Sequence, residues 1–414
     1  MGICTSKPLE EADTTPSKFR RNSYLALETT SNHGNSPFPK EVIGFHSNHG
    51  IKPAGFGSAA KINQDRGVIQ YPLANDNGQM LLAVYDGHGQ HGEHCSEFVA
   101  FECIELLESD PAGLSANPRD VLFKQACIVE ADARLRKKRD VPSYESGTTA
   151  IVCVMRPDRI WTACVGDSRA VMGREEKPGE DWKAIDLSQD QKPDNPEERK
   201  RIEANGGFVS EASEAYGPAR VWRFSYGLGP GLAMARSIGD HAVAELGVFA
   251  EPEITEKEVT SVDRCVVLAS DGVWEFISSQ EAIGIIQKHS RDATAACKAL
   301  IAEASLRWKK EEGNYRDDIT AIVCFLPAIK TLANMANANG QSCKSKAEFD
   351  ADIQGKEESA KMEVTHGANP PATDSLIPVA EPEGTKAEQQ NAQQSFVRRR
   401  LSVANVPKDD QEGA

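Results

Sequence analysis

The chain has 414 residues, of which 47 are Lys or Arg and 62 are Asp or Glu, so its formal net charge is −15 with neutral histidines. This balance argues against a nucleic-acid-binding protein, because such proteins present basic surfaces that displace counterions from phosphates. Apolar residues make up 39% of the chain, enough for a large core, but no stretch reaches the roughly 20 apolar residues of a membrane span. The ten cysteines form no CxxC pair and are typical of reduced, mostly buried thiols in a cytoplasmic protein.

Aromatic residues divide the chain into one domain and two arms. Residues 1–50 hold four aromatic residues among many Ser, Thr, Asn and Pro, and residues 328–414 hold only two. Large rings dominate core burial, and disordered segments lack them. We therefore predict a flexible N-terminal arm over 1–50, one domain over 51–327 and a disordered C-terminal tail over 328–414.

Within this domain, short β-branched segments alternate with longer amphipathic ones. Strands are predicted at 80–85, 149–155, 159–165, 169–173, 265–269 and 319–325. Helices are predicted at 93–108, 118–138, 279–289 and 292–312, the second starting with Asn117 as N-cap and Pro118 at the first helical position. Several strands are apolar on both faces, so the order favours an α+β fold in which a sheet sandwich is flanked by helices.

An insertion is predicted at about 188–246. It contains a capped helix that starts at Asn195-Pro196 and ends at Gly206-Gly207, followed by the glycine-rich stretch 226–231. Glycine and proline at this density favour a mobile loop over a core element.

Aspartates stand at the ends of several apolar strands. They lie in Asn63-Gln64-Asp65, Asp86-Gly87-His88-Gly89, Gly166-Asp167-Ser168-Arg169, Asp271-Gly272 and Asp317-Asp318. A carboxylate at the end of a buried strand is costly unless it is paired, and a shared divalent cation would remove that cost. Oxygen ligands favour Mg²⁺ or Mn²⁺ over zinc. A single Asp-Gly pair is more often a turn, and Gly166-Asp167-Ser168 fits a hairpin turn equally well, so the repetition carries the metal prediction.

Three histidines recur at every third position from His88 to His94. The glycines between them break any helix that would align them, which argues against a zinc site. His88 differs from the other two, since it follows Asp86 by two residues and would stand where a leaving oxygen needs a proton.

Six ordered motifs between residues 55 and 327 resemble those of the metal-dependent serine/threonine protein phosphatases of type 2C. They are LLAVYDGHG at 81–89, SGTTA at 146–150, GDSRA at 166–170, LAMARSIGD at 232–240, ASDGVW at 269–274 and RDDIT at 316–320. Together they are highly specific and indicate a eukaryotic, plant- or protist-like member. The resemblance implies a four-layer α-β-β-α sandwich with two Mg²⁺ or Mn²⁺ ions at one end.

The resemblance also implies a role for each acidic motif. The ligands of the two ions would be Asp86, which bridges both, the Gly87 carbonyl, Asp271 and Asp317. Asp65 would orient water at the ions, and Asp167 would belong to a weaker third metal site. His88 corresponds to the family's general acid, in agreement with its position after Asp86.

Two segments depart from the family's pattern. Animal members carry an arginine just before the Asp65 motif to hold the substrate phosphate, whereas this chain reads Ser58-Ala59-Ala60-Lys61. Lys61 would take that role without the bidentate fork of a guanidinium. The insertion corresponds to the family's flap beside the active site, which we expect to set substrate choice, although Trp222 in it fits a packing role equally well.

We therefore expect a monomeric enzyme that hydrolyses phosphoserine and phosphothreonine on proteins, with activated water as nucleophile and no covalent intermediate. A pseudophosphatase that only binds phosphoproteins is an alternative, against which the retained carboxylates argue. A phosphatase of small phosphorylated metabolites is a second alternative, for which the open flap and long arms are less suited.

Both arms carry modification motifs. Met1-Gly2-Ile3-Cys4-Thr5-Ser6 matches the N-myristoylation pattern, with Gly2 as acceptor and Cys4 as a site for a second chain, which predicts attachment to the cytosolic face of a membrane. Ser23 and Ser402 follow paired arginines, as in substrates of basic-directed kinases, although solvated basic clusters would look the same.

Overall fold

The computed structural model describes residues 23–26, 41–54, 57–76, 78–123, 127–213, 217–224, 231–327 and 330. Two main β-sheets face each other across an apolar layer, and helices cover the outer face of each sheet. This arrangement confirms the predicted four-layer α-β-β-α sandwich. Among the described residues, no helix combines the length and the apolar character needed to cross a bilayer.

The first main sheet is antiparallel throughout its central path. Its strands, numbered in chain order and given in spatial order, are β1 (Ser23–Ala26), β5 (Asp65–Gln70), β6 (Met80–Gly89), β8 (Ala150–Met155), β9 (Arg159–Val165) and β15 (Glu253–Glu258). At one end of β6, a short ladder adds β7 (Ser146–Thr148) and β14 (Ile238–Gly239).

The second main sheet is also antiparallel. Its strands are, in spatial order, β11 (Lys183–Asp186), β10 (Arg169–Arg174), β16 (Asp263–Ala269), β17 (Ile319–Phe325) and β2 (Ile43–Asn48). Two hairpins lie outside the main sheets, namely β3 (Ile51–Ala54) with β4 (Gly57–Ala60) and β12 (Phe208–Ser210) with β13 (Arg220–Trp222).

Helices cover both sheets. Those on the first sheet are α1 (Gly92–Ser109), α2 (Pro111–Ala116), α3 (Pro118–Phe123) and α4 (Cys127–Lys137). Those on the second are α6 (Asp271–Trp274), α7 (Ser279–Lys288) and α8 (Ala293–Glu312). The remaining helix, α5 (Pro196–Ala204), belongs to the insertion.

Strand β6 shows why the central strands are apolar on both faces. Leu82 and Val84 point into the layer between the sheets, while Leu81, Ala83 and Tyr85 pack under the helices. Because side chains alternate along a strand, a strand covered on both sides needs apolar residues at every position. All five side chains are fully buried.

The structure corrects two boundaries. The predicted start of the domain at residue 51 is too late, because β2 pairs with β17 and Ile43 is buried between the sheets. The predicted helix over 118–138 comprises α3 and α4, and the helix α2 before it was not predicted. The predicted cap of α3 is confirmed, since Asn117 Oδ1 accepts a hydrogen bond of 3.3 Å from the Asp120 amide.

The insertion has a small core of its own. Residues of α5, of the β12–β13 hairpin and of the following segment pack together, among them Ile202, Val209 and Val221. Asn195 stands at the N-cap position of α5 as predicted, but its side chain donates to the Asp190 carbonyl instead of accepting from the helix. Most of the glycine-rich stretch, 225–230, lies outside the described residues.

All eight described cysteines are free and buried, as predicted from their scatter along the chain. They are distributed over both helical layers and both main sheets. Burial raises the pKa of Cys153 and of Cys265 to about 12, so both stay protonated at neutral pH.

Candidate metal centre

The predicted carboxylates meet at one end of the sandwich. Asp65 opens β5 and stands directly opposite Asp86 on β6 in the antiparallel register. On the facing sheet, Asp271 follows the end of β16 and Asp317 precedes the start of its antiparallel neighbour β17. Two adjacent antiparallel strands bring these two ends to the same edge, so the four carboxylates come from both sheets.

Asp86 has the most acidic surroundings. Burial raises its pKa well above the ordinary value of an aspartate, and the charges of Asp65, Asp271, Asp317 and Asp167 raise it further. Several carboxylates within electrostatic reach of one another cannot all be ionised without a cation among them.

Asp65 is held from one side only. Its Oδ2 accepts a hydrogen bond of 2.7 Å from Ser270 Oγ, whereas its buried Oδ1 has no hydrogen-bond partner among the described residues. Burial and the charge of Asp318 raise the pKa of Asp65 to about 8. A buried carboxylate oxygen without a donor is suited to a cation or to water at one.

The two aspartates of the RDDIT motif have different surroundings. Asp318 is buried, and its two oxygens accept hydrogen bonds from the backbone amides of Gly50 at 2.5 Å and Gln64 at 3.0 Å. Asp317 Oδ1 instead accepts from Lys61 Nζ at 2.7 Å. Asp318 therefore ties together the loops that form the site, and Asp317 faces the acidic cluster.

Lys61, predicted to hold the substrate phosphate, lies within the site and contacts a predicted metal ligand. Its ammonium, besides pairing with Asp317, lies 5.4 Å from the centre of the Tyr315 ring. Burial lowers the pKa of Lys61, but the charge of Asp317 and its neighbours raises it by more, so the net shift is upward. The predicted phosphate-binding role of Lys61 stays a prediction.

Asp167 is paired with a lysine that sequence reasoning missed. It lies in the turn between β9 and β10, and its Oδ2 is 2.5 Å from Lys192 Nζ. Its Oδ1 is buried and has no hydrogen-bond partner in the described part of the chain. No local pattern links the two residues, because they are 25 positions apart.

His88 pairs with an acidic residue to which no role was assigned from the sequence. His88 Nε2 lies 2.5 Å from Asp240 Oδ2, and Ser237 Oγ donates to the same oxygen at 2.6 Å. Burial lowers the pKa of His88, but the charge of Asp240 and its hydrogen bond raise it by more. Asp240 therefore fixes the orientation of the imidazole and favours its protonated form.

The backbone near Asp240 is shaped for this contact. Asp240 has a φ of 44°, a left-handed conformation that non-glycine residues rarely adopt, and its amide donates to the Ser146 carbonyl at 3.0 Å. Gly147 faces His88 across the β6–β7 ladder, and a Cβ there would collide with Asp240 Oδ2. The glycine therefore lets the carboxylate reach the imidazole.

The donor set suits a hard divalent cation. Its side chains are carboxylates, which Mg²⁺ and Mn²⁺ prefer, and buried oxygens of Asp65 and Asp167 have no hydrogen-bond donor among the described residues. Within the same residues, no three His, Cys, Asp or Glu side chains are gathered closely enough to hold an ion as they stand. Lys61 and Lys192 contact two of the carboxylates from the side.

The motifs of the arms lie mostly outside the described residues. This holds for Gly2, Cys4 and Ser402. Ser23 is the first residue of β1, and its backbone stands opposite Gln70 on β5.

Comparison with known proteins agrees with this geometry. Residues 59–312 match the sequence profile of the family described as Protein phosphatase 2C. Among curated relatives, probable protein phosphatase 2C 48 of Oryza sativa subsp. japonica is 34% identical over 285 residues, covering 64% of this chain and 80% of the relative. Probable protein phosphatase 2C 35 of Arabidopsis thaliana is 34% identical over 295 residues, covering 67% and 81%.

Solved structures support the fold. The serine-threonine phosphatase 2C of Toxoplasma gondii superposes with a TM-score of 0.57 at 23% identity, covering 68% of this chain and 94% of that one. A sex determining protein of C. elegans gives a TM-score of 0.54 at 21% identity, with coverage of 70% and 67%. The profile match spans more than half of the chain, so the chain belongs to the protein phosphatase 2C family of metal-dependent serine/threonine protein phosphatases.

Proposed function

We propose that the chain hydrolyses phosphoserine and phosphothreonine on proteins at a binuclear Mg²⁺ or Mn²⁺ centre built from Asp86, the Gly87 carbonyl, Asp271 and Asp317. The observation that carries the proposal is the gathering of acidic side chains from both sheets at one end of the sandwich, where burial and the charges of four other carboxylates raise the pKa of Asp86. Such an accumulation of like charge destabilises the fold unless cations complete it.

When bound, two such ions would activate a water as nucleophile and neutralise charge on the phosphoryl oxygens. The chain's own residues would do the rest. Asp65, with one carboxylate oxygen held by Ser270 and the other without a donor among the described residues, is placed to orient that water. No side chain in this scheme forms a covalent bond to phosphate.

His88 would donate the proton to the leaving serine or threonine oxygen. Alkoxides are poor leaving groups, so proton donation contributes strongly to the rate. The contact with Asp240 would keep the ring oriented for that step, and it raises the pKa of His88, which favours the protonated form. Lys61, beside Asp317, would attract the substrate phosphate as a point charge.

The retained carboxylates favour an active enzyme over a pseudophosphatase, since a protein that only binds phosphoproteins would not need to keep them buried together. Protein substrates, in preference to small metabolites, are supported by the insertion over 188–246, which has a small apolar core of its own and carries Lys192 and Asp240, the partners of Asp167 and His88. We propose that this flap selects the substrate.

The central test is hydrolysis of a phosphothreonine peptide by the full chain with Mn²⁺, with chelator, and with Asp271→Ala. We expect activity only in the untreated wild type. Activity that survives both chelator and substitution would refute the metal mechanism. A phosphorylated sugar assayed in parallel distinguishes a metabolite phosphatase, which would hydrolyse it faster than the peptide.

We further propose that Gly2 is myristoylated and Cys4 palmitoylated, which would attach the enzyme to the cytosolic face of a membrane. One myristoyl chain gives only marginal binding, so the second chain would be needed for stable attachment. Cell fractionation of a Gly2→Ala variant tests this, and unchanged membrane association would contradict it.

We also propose that a basic-directed kinase phosphorylates Ser23 and Ser402, because paired arginines precede both serines. Phosphopeptide mapping of the chain isolated from cells should find phosphate on at least one of these serines. A map in which both are unmodified removes the proposal.

A further inference from the structure

Lys192 lies among carboxylates at the edge of the candidate metal centre. Its Nζ is 2.5 Å from Asp167 Oδ2, and Asp271 and Glu275 are near enough for their charges to act on it. The side chain of Lys192 is 31% exposed and that of Asp167 only 3%, so the pair is largely withdrawn from water.

The backbone that carries Lys192 is fixed by its neighbour Gln191. The amide of Gln191 donates to the Gly166 carbonyl at 2.9 Å, and its side-chain Oε1 accepts from the Gly166 amide at 2.8 Å. Its carbonyl accepts from the Ala235 amide at 2.7 Å. Pro193 follows Lys192 and confines it to extended conformations. These contacts hold the backbone of Lys192 in place next to the turn that carries Asp167.

The ion pair with Lys192 uses only one oxygen of Asp167. Lys192 Nζ contacts Oδ2, whereas Oδ1 is buried with no hydrogen-bond partner among the described residues. A divalent ion held by Asp167 would need the carboxylate that Lys192 already contacts. Two cations on one carboxylate repel each other in a partly buried site, so the ammonium and the ion would compete for Asp167.

We propose that Lys192 is an internal counter-ion that takes the place of a third divalent ion beside Asp167, so that a third ion binds only by displacing the ammonium. The inference rests on the binuclear centre proposed above, since the charge of Asp271, one of its proposed ligands, also acts on Lys192. What it adds is a physical reason for the third site to be the weak one.

Counting bound Mn²⁺ tests the proposal without an activity assay. The full-length chain is titrated with Mn²⁺, and the free ion is measured by its electron paramagnetic resonance signal. The variants are Lys192→Gln, which keeps a donor for Asp167 but removes the charge, and Lys192→Met, which removes both. We expect both to bind a third ion about tenfold or more tightly than the wild type, because the competing charge is gone.

Two controls locate the effect. Lys183→Gln removes an exposed lysine that pairs with Glu176 away from the site, and it should leave all affinities unchanged. Lys192→Gln combined with Asp167→Asn should return the third affinity to the wild-type value or below it. A gain that persists in the double variant would show that the third ion binds elsewhere and would overturn the proposal.

Wild-type protein gives a second measurement in case the variants fail to fold. In crystals soaked with Mn²⁺, an anomalous peak beside Asp167 should appear only where Lys192 Nζ has moved away. A peak there with the ion pair intact overturns the proposal, as does a third affinity that is unchanged in both variants. If the wild type binds fewer than two ions with high affinity, the binuclear centre itself is contradicted, and this inference with it.

Discussion

An aspartate marks each end of strand β16, and the two differ in what surrounds them. At the start of the strand, the buried Asp263 accepts from Arg174 Nε at 2.8 Å and from the amide and hydroxyl of Thr260 at 2.7 and 2.8 Å. Asp271 follows the other end of the strand and is only partly buried, and its charge helps to raise the pKa of Asp86.

The pKa shifts show the consequence of this difference. Burial raises the pKa of Asp263, but Arg174 and Thr260 lower it by more, so its net shift is downward. At the opposite end, the pKa values of Asp65 and Asp86 are raised, because the neighbours are carboxylates. The protein supplies donors to both oxygens of the structural aspartate, whereas Asp65 and Asp167 each keep one buried oxygen without a hydrogen-bond donor among the described residues, which suits a cation from solution.

Replacing an aspartate by asparagine at each end should separate the two roles most clearly. We expect Asp86→Asn to lower Mn²⁺-dependent hydrolysis of a phosphothreonine peptide at least about 10³-fold, because loss of a carboxylate that would hold the ions should cost several kcal/mol in the transition state. Asp263→Asn, assayed in parallel, should keep activity close to wild type. Equal losses in both variants would mean that the two ends do not differ in function.

The two ends should also respond to pH in opposite directions. The pKa of Asp65 is raised from its ordinary 3.8 to about 8, so its contribution to stability is complete below about pH 4 and is lost as the pH rises towards 8. The contribution of Asp263, whose pKa is lowered, is present at neutral pH and lost on acidification.

Thermal unfolding in chelator between pH 4 and 8.5 measures this dependence. We expect the melting temperature of the metal-free chain to fall towards pH 8, and Asp65→Asn or saturating Mn²⁺ to reduce that fall. A profile that is the same with and without the substitution would exclude Asp65 as a source of the destabilisation.

Asp240→Asn should have an intermediate effect that depends on the leaving group. If Asp240 positions His88 as the proton donor, turnover of phenyl phosphate should drop about 10- to 100-fold, while that of p-nitrophenyl phosphate, whose leaving group needs little protonation, drops less than about threefold. Ser237→Ala removes only the hydroxyl that lies 2.6 Å from Asp240 Oδ2 and 3.4 Å from His88 Nε2, and keeps the carboxylate, so its effect should be the smaller one. Equal losses on both substrates would indicate a structural role only.

The smallest effect is expected for the free energy of unfolding when Asp263, the structural aspartate, is replaced. Asp263→Asn keeps an acceptor but removes the charge that Arg174 faces, so unfolding free energy should fall by about 1–3 kcal/mol, the usual range for a hydrogen bond to a charged group. Urea unfolding with added Mn²⁺ measures it. A variant as stable as the wild type would show that the pair contributes nothing.

Local signals in the sequence predicted the central strands, since a strand buried on both faces needs a continuous apolar run. Strands at 159–165 and 319–325 agree with β9 and β17 residue by residue. Strand β2 was missed because its sequence, IGFHSN, mixes polar residues with a glycine and is recognisable only from its pairing with β17. The secondary structure of such a segment depends on tertiary pairing, which a local sequence pattern does not show.

Local signals and tertiary contacts differ in the same way at the site. The carboxylates were predicted because they stand at the ends of apolar strands, and they do meet at one end of the sandwich. The partners of His88 and Asp167 were not predicted, because Asp240 lies 152 positions from His88 and Lys192 lies 25 positions from Asp167. Neither contact has a local signature, so only the folded chain reveals which charges compensate the acidic cluster.

The buried cysteines can be used to measure local unfolding of the sandwich. Thiols in α1, α4 and α8 and in β8, β9, β16 and β17 sample every layer of the sandwich. A thiol reagent reaches each one only when its surroundings open, since burial hinders both access and ionisation. Pulsed labelling read by mass spectrometry would thus time the loosening of each layer separately, and adding Mn²⁺ would reveal how far ion binding at one end slows exposure at the other.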